Sequence, residues 1–132
     1  MFKLSKKTEY ALLMLEHLNK IKPKATTAKA IAEEQKLPSP MVAKLCQQLA
    51  KQGLVRSVQG ARGGYALSRE LAEISLAQVM EIIEGPISLT HCQEVDHDCE
   101  RSEYCFLRTS FKPVHQHITS YLNSVTLADM VG

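Results

Sequence analysis

The sequence predicts a mainly α fold that carries one small β-hairpin and ends in a long helix. Three observations predict it. Apolar residues recur at helical spacing in successive segments. A glycine-rich turn, "GARGG", separates two short β-type runs. The last helical stretch keeps its apolar residues in alternating steps of four and three. With 132 residues, 45% of them hydrophobic, the chain suits one domain, or one small domain and an appendage.

From Thr8 to Ile21 the residues Ala11, Met14, Leu15, Leu18 and Ile21 share one helix face, and Ser5 is placed to cap it. After the loop "KPKATT", Thr27 caps a short helix, "AKAIAEEQ", with Ile31 and Ala32 inward. In "KLPSPMVAKLCQQLAKQGLV", Ser39 is the expected N-cap, Pro40 the first helical residue and Gly53 the stop. Val42, Leu45, Cys46 and Leu49 make its buried face; Met41, Lys44, Gln47, Gln48 and Lys51 lie opposite. Two short helices on a tight link, the second polar and basic outside, read as a helix-turn-helix. The strands "LVRSVQ" and "GYALS" then form a wing, which makes the unit a winged helix. At the wing tip Arg62 lies between Gly60 and Gly63-Gly64, suited to a minor groove, while the glycines let backbone approach phosphate.

"SLAQVMEIIEGP" is a further helix, with Ser75 and Gln78 as a capping box, Leu76, Val79, Met80 and Ile83 inward, and Gly85-Pro86 as its end. Beyond a cysteine-bearing stretch, Leu107, Phe111, Val114, Ile118, Tyr121 and Val125 form a heptad seam. Self-association through that seam is the expected use; a helix folded back on its own domain is the alternative. Pro113 is expected to start or kink the helix. The expected organisation is a winged helix-turn-helix domain over 1–85, a cysteine loop over 86–105, and a dimerisation helix with a C-terminal tail over 106–132. A homodimer would bring two recognition helices to the half-sites of a pseudo-palindromic operator in double-stranded DNA.

The net charge of +2 conceals two unlike halves. Residues 1–69 hold 13 Lys and Arg against 4 acids, a balance of +9; residues 70–132 hold 3 against 10, a balance of −7. A basic half is the electrostatic footprint of a nucleic-acid surface. On this reading Ser39, Met41, Lys44, Gln47 and Gln48 face the major groove, and Lys6, Lys7 and Lys51 meet phosphates. No apolar run is long enough for a membrane span, and "MFKLSKKTEY" does not read as a signal peptide, so a cytoplasmic chain is expected. There is no Gly-rich nucleotide loop and no Ser/His/Asp grouping, so neither an enzyme nor a small-molecule substrate is expected.

Cys92, Cys99 and Cys105 fall within fourteen residues, separated by six and then five others. In a reducing compartment a disulfide framework is disfavoured. Structural zinc sites use tighter knuckles, with about two to four residues between cysteines. The wider spacing suits a larger object such as an iron–sulfur cluster, but zinc, redox thiols and inert thiols stay open on spacing alone. The neighbouring acids Glu94, Asp96, Asp98, Glu100 and Glu103 disfavour a freely reactive thiolate. His91, His97, His115 and His117 are candidate ligands. Cys46, on the apolar face, reads as a core residue.

"KLSKKTEYALLML", "LVRSVQGARGGYALSR", "SLAQVMEIIEG", the three loop cysteines and "VTLADMV" together resemble the IscR/NsrR/RirA family of iron–sulfur transcription regulators. Within that family the chain is most similar in appearance to regulators of the SUF iron–sulfur assembly operon. The resemblance runs from Lys3 to Val131. It implies a homodimeric regulator, a repressor as first expectation, whose loop binds a 2Fe–2S or 4Fe–4S cluster, the former favoured, through Cys92, Cys99 and Cys105. Some members complete the site with a histidine three residues after the last cysteine, a position held here by Arg108. Others use an acid early in the first helix of the partner subunit, which makes Glu9 the expected fourth ligand. Three rival readings stand beside it: a zinc-bound or thiol-redox DNA binder without a cluster, a DNA binder with vestigial cysteines, and an iron–sulfur electron-transfer protein.

Overall fold

Hydroxyl side chains set where most helices start in the computed structural model, which describes residues 3–90, 100 and 104–131. Helix α1 (Lys6–Ile21) begins where Ser5 Oγ accepts the Thr8 N–H at 3.1 Å. Helix α2 (Ala28–Gln35) begins where Thr27 Oγ1 accepts the Ala30 N–H at 3.1 Å. Each cap satisfies one of the N–H groups that a helix start leaves unpaired, worth about 1 kcal/mol. Helix α3 (Ser39–Lys51) departs from the expected start. Pro38 occupies the N-cap position, its carbonyl accepts the Val42 N–H at 3.1 Å, and no side chain caps the helix. Ser39 therefore lies in the first turn and Pro40 second, where a missing N–H costs nothing. Gly53, with φ +79°, follows its end.

Strands β1 (Val55–Val58) and β2 (Gly64–Leu67) pair antiparallel, Val55 opposite Leu67 and Val58 opposite Gly64. The hairpin is docked as well as paired. Thr26 and Tyr65 exchange both backbone hydrogen bonds, at 2.9 and 2.7 Å, so the chain before α2 extends the sheet by one rung. That approach explains Gly64: its φ is +130°, and a Cβ there would stand 2.2 Å from the Thr26 carbonyl oxygen.

A 3₁₀ turn at Leu71–Glu73 leads to α4 (Leu76–Glu84), capped by Ser75 Oγ accepting the Gln78 N–H at 3.0 Å. Ala77 and Val79 are its buried residues, while Leu76, Met80 and Ile83 are only half-buried. One core joins these elements: Ala11, Met14, Leu15 and Leu18 of α1, Ile31 of α2, Val42, Leu45, Cys46 and Leu49 of α3, with Leu54, Leu67, Leu71 and Ile74 around them. The periodic apolar stripes of α1, α2 and α3 are thus buried faces, with Ile21 half-buried at the end of α1.

Helix α5 (Phe106–Ser124) runs through Pro113, so the proline does not start it. Thr109 and Pro113 are both exposed, and water can serve the Thr109 carbonyl that a proline leaves without a donor. The heptad seam divides. Phe111, Val114 and Ile118, with Leu122 from outside the seam, turn towards the chain's own Leu4, Met80 and Leu89 around a hollow of about 620 Å³. Phe106, Leu107 and Tyr121 are exposed. The final segment, expected as a tail, forms α6 (Leu127–Val131). Thr126 Oγ1 accepts the Asp129 N–H at 3.1 Å and Asp129 Oδ2 accepts the Thr126 N–H at 3.0 Å, a reciprocal cap. The second bond, with the Thr126 side chain adding to it, holds the Asp129 carboxyl below its usual range. Leu127 is buried, and its N–H reaches the Ile74 carbonyl at 2.9 Å, which ties α6 to the 3₁₀ turn. Among the described residues no helix is long and apolar enough to cross a membrane.

Candidate functional site

The outer side of α3 is built by the same periodicity that buries its inner side. With Val42, Leu45, Cys46 and Leu49 inward, Ser39, Lys44, Gln47, Gln48 and Lys51 are exposed and Met41 is half-buried. Helix α1 adds Lys7: Lys7, Lys44, Gln47, Gln48 and Lys51 line one shallow hollow of about 360 Å³. Three ammonium groups and two carboxamides with no carboxylate in the lining suit a polyanion. The structure separates two lysines that the sequence grouped together. Lys6 points towards Glu9, 3.9 Å away on the same helix face, and is not part of the hollow.

The wing presents Arg62, which is exposed. Its turn is closed by the Gly63 N–H on the Gly60 carbonyl at 3.0 Å. Gly60 adopts φ +108°, and a Cβ on Gly63 would stand 2.2 Å from the Val58 carbonyl oxygen. The tight turn therefore needs both glycines and fixes where Arg62 emerges. Two features were not expected from the sequence: Arg56, exposed on β1 of the same hairpin, and the Thr26 rung that braces the wing. Arg56 was legible as a base within the strand; the Thr26 rung had no local signal.

The thiols divide by environment. Cys46 is 1% exposed within the core, and burial pushes its thiol up from 9.0 to about 11, which favours the protonated form. Cys105 is half-buried at the residue preceding α5. Cys92, Cys99, His91, His97 and the acids Glu94, Asp96, Asp98 and Glu103 lie outside the described residues, and Glu100 is exposed. Glu9 is exposed in the first turn of α1 and lies beside Leu12, Leu13, Leu127 and Met130. His117 bonds the Pro113 carbonyl through Nδ1 at 2.7 Å. Among the described residues no three His, Cys, Asp or Glu side chains are grouped to hold a metal ion. The donor chemistry of the remaining thiols fits an iron–sulfur group: with Cys46 buried, three cysteines are left in one stretch, and Glu9 is an accessible carboxylate.

The fold and the basic face define the class, a winged helix-turn-helix protein with a polar, basic outer face on α3. Residues 4–132 match the family model Rrf2, described as an iron-dependent transcriptional regulator, and the chain belongs to that family. The HTH-type transcriptional regulator IscR of Serratia proteamaculans (strain 568) is 31% identical over 102 residues, 77% of this chain and 62% of that protein. The chain thus spans less than two thirds of the length of such curated relatives. A putative HTH-type transcriptional regulator of Aquifex aeolicus (strain VF5) is 28% identical over 127 residues, 93% of this chain and 87% of that one. Among solved structures, CymR of B. subtilis, described as the global cysteine regulator, superposes with a TM-score of 0.71 at 31% identity, covering 98% of this chain and 96% of CymR. T. potens IscR superposes with a TM-score of 0.73 at 30% identity, covering 98% and 86%. These relatives are regulators, not enzymes.

Proposed function

We propose that the chain is a homodimeric DNA-binding repressor whose operator affinity is set by a labile iron–sulfur cluster on Cys92, Cys99 and Cys105. The hollow of Lys7, Lys44, Gln47, Gln48 and Lys51 beside the Arg62 wing carries the DNA half of this reading. Gln47 and Gln48 suit base edges in the major groove, where a carboxamide can pair both ways with adenine. Lys7, Lys44 and Lys51 suit phosphates, and Arg62 a minor groove. The exposed apolar residues of α5 suit a second copy, which would bring two such faces to one operator. Membership in a family described as iron-dependent supports the other half. When bound, a cluster supplies a redox-sensitive, oxidant-labile centre. The chain's own contribution is three thiolates and, from the first helix of the partner, the Glu9 carboxylate. A carboxylate is a weaker partner for iron than thiolate and leaves one corner easily displaced.

Anaerobic reconstitution with iron and sulfide tests the reading. The expected outcome is a brown protein with charge-transfer absorption, bound iron and sulfide, and different operator affinity before and after loading. A colourless protein holding one zinc per chain, or equal affinity in both forms, rejects cluster control. A second reading is favoured by the likeness to CymR, which at 31% identity covers 96% of that protein and whose Staphylococcus aureus counterpart is solved in an oxidised form. On this second reading the chain's own thiols act by direct oxidation, with no cluster. An iron-free chain whose DNA affinity changes with peroxide, and which loses that change in Cys105→Ser, selects it.

A further inference from the structure

The end of α4 and the start of α1 share one hydroxyl. Ser5 Oγ accepts the Thr8 N–H, lies 3.1 Å from Thr8 Oγ1, and bonds Glu84 Oε1. A serine has a single hydroxyl proton, and a carboxylate is its strongest acceptor. With that proton on Glu84, the Thr8 hydroxyl donates to Ser5. The result is a polarised chain from Thr8, which is 0% exposed, through Ser5 to an exposed carboxylate.

Glu84 stands where an acid is unfavourable in isolation. It is the last residue of α4, where the macrodipole repels negative charge, and the last turn of α4 holds no basic residue. Bonding the cap of α1 reverses the sign, because the N–H groups at a helix start attract negative charge. The contact with Ser5 thus gives a reason for an acid at this end of α4.

Both ends of the contact lead to functional groups. After Glu84 comes Gly85, with φ +89° and open space where a Cβ would stand, and then Pro86. This pivot opens the segment that carries Cys92, Cys99 and Cys105. From Ser5 the chain runs two residues to Lys7 in the α3 hollow and four to Glu9.

We infer that the Ser5–Glu84 bond is the link that transmits the state of the cysteine segment to the DNA-reading face, by holding the Gly85 pivot and the start of α1 in one register. The link rests on the reading of the chain as a thiol-controlled DNA binder. Glu84→Ala removes the acceptor. Ser5→Asp keeps a cap for the Thr8 N–H, removes the donated proton and sets two carboxylates against each other. Glu84→Gln retains an acceptor oxygen. Operator dissociation constants are measured for every chain metal-free and after anaerobic loading, and amide hydrogen exchange is followed on the metal-free chains.

Allosteric coupling usually makes such constants differ by about 5- to 150-fold. The ratio is expected to fall to within about 2-fold of unity in Glu84→Ala and Ser5→Asp, and to persist in Glu84→Gln. In the metal-free breaking variants, exchange should rise together at residues 85–90 and in the first turn of α1, with circular dichroism unchanged. A wild-type ratio retained by both breaking variants, or exchange unaltered at either segment, overturns the link alone. A ratio of one in the wild-type chain overturns the link together with the reading beneath it.

Discussion

Cys46 and Cys105 differ in what surrounds them more than in what they are. Cys46 is 1% exposed on the inner face of α3, and burial moves its thiol from 9.0 to about 11; Cys105 is half-buried at the head of α5. The Cys46 shift has a consequence for stability. Between pH 9.0 and about 11 the unfolded chain has released a proton that the folded chain still holds, so stability is complete below that range and falls as pH rises through it. At one pKa unit per 1.36 kcal/mol, the loss is roughly 2–3 kcal/mol across the window. Cys46→Ala should therefore lose less stability between pH 8.5 and 11 than wild type, measured by urea unfolding at a series of pH values, though at neutral pH it costs about 1 kcal/mol for the small cavity. Iron loading should be unchanged, because Cys92, Cys99 and Cys105 all remain. A variant as alkali-sensitive as wild type would show that Cys46 is not the titrating group.

The long helix and the wing carry the quaternary and recognition arguments at the level of elements. Phe106, Leu107 and Tyr121 leave an apolar strip on α5 exposed, while Phe111, Val114, Ile118 and Leu122 line the hollow on the chain's own α4 side. A charged residue in that strip should oppose self-association without touching the core. Tyr121→Glu is expected to give a monomer by light scattering, to weaken binding to a two-half-site operator by about 10-fold or more as the second half-site is lost, and to leave single half-site binding unchanged. A dimer that survives Tyr121→Glu at micromolar concentration would place self-association on another face. The seam itself was legible as a step pattern, but its division into an inward and an outward side was not, since that depends on where α4 lies. The caps at Ser5, Thr27 and Ser75 were legible because a short hydroxyl side chain before an apolar stripe has one local use. Ser39 misled for the same reason: its flanking prolines allow the helix to open one residue earlier. The reciprocal cap of α6 was readable as Thr126 and Asp129 three residues apart, yet a five-residue helix offers too short a period to be noticed. In the candidate site, the outer face of α3 followed from helical spacing; that Lys7 joins it while Lys6 does not follows from packing between α1 and α3, which spacing does not encode.

At the scale of the whole molecule the charge is unevenly divided along the chain. Residues 1–69 carry +9 and residues 70–132 carry −7, so a polyanion attracts one half and repels the other. On the proposed function, such a balance would favour approach of DNA through the basic residues of the α3 hollow and the wing. It also fixes a quantity that can be measured. Lys7, Lys44, Lys51 and Arg62 are exposed on the hollow and the wing, four bases per chain and so about eight in a dimer. Each phosphate neutralised on duplex DNA contributes about −0.9 to the slope of log affinity against log salt, which gives a slope of about −7 if all of them engage. Arg62→Ala should weaken operator binding and make the slope shallower by about 2, one contact per protomer, with iron content unaltered. Fluorescence anisotropy across a salt series measures both numbers. A wild-type slope shallower than about −3 would mean that most of these bases never meet phosphate, and the +9 half would then be a solvated surface. A normal slope left unchanged by Arg62→Ala would confine recognition to α3 and leave the braced, glycine-shaped wing without a role in binding.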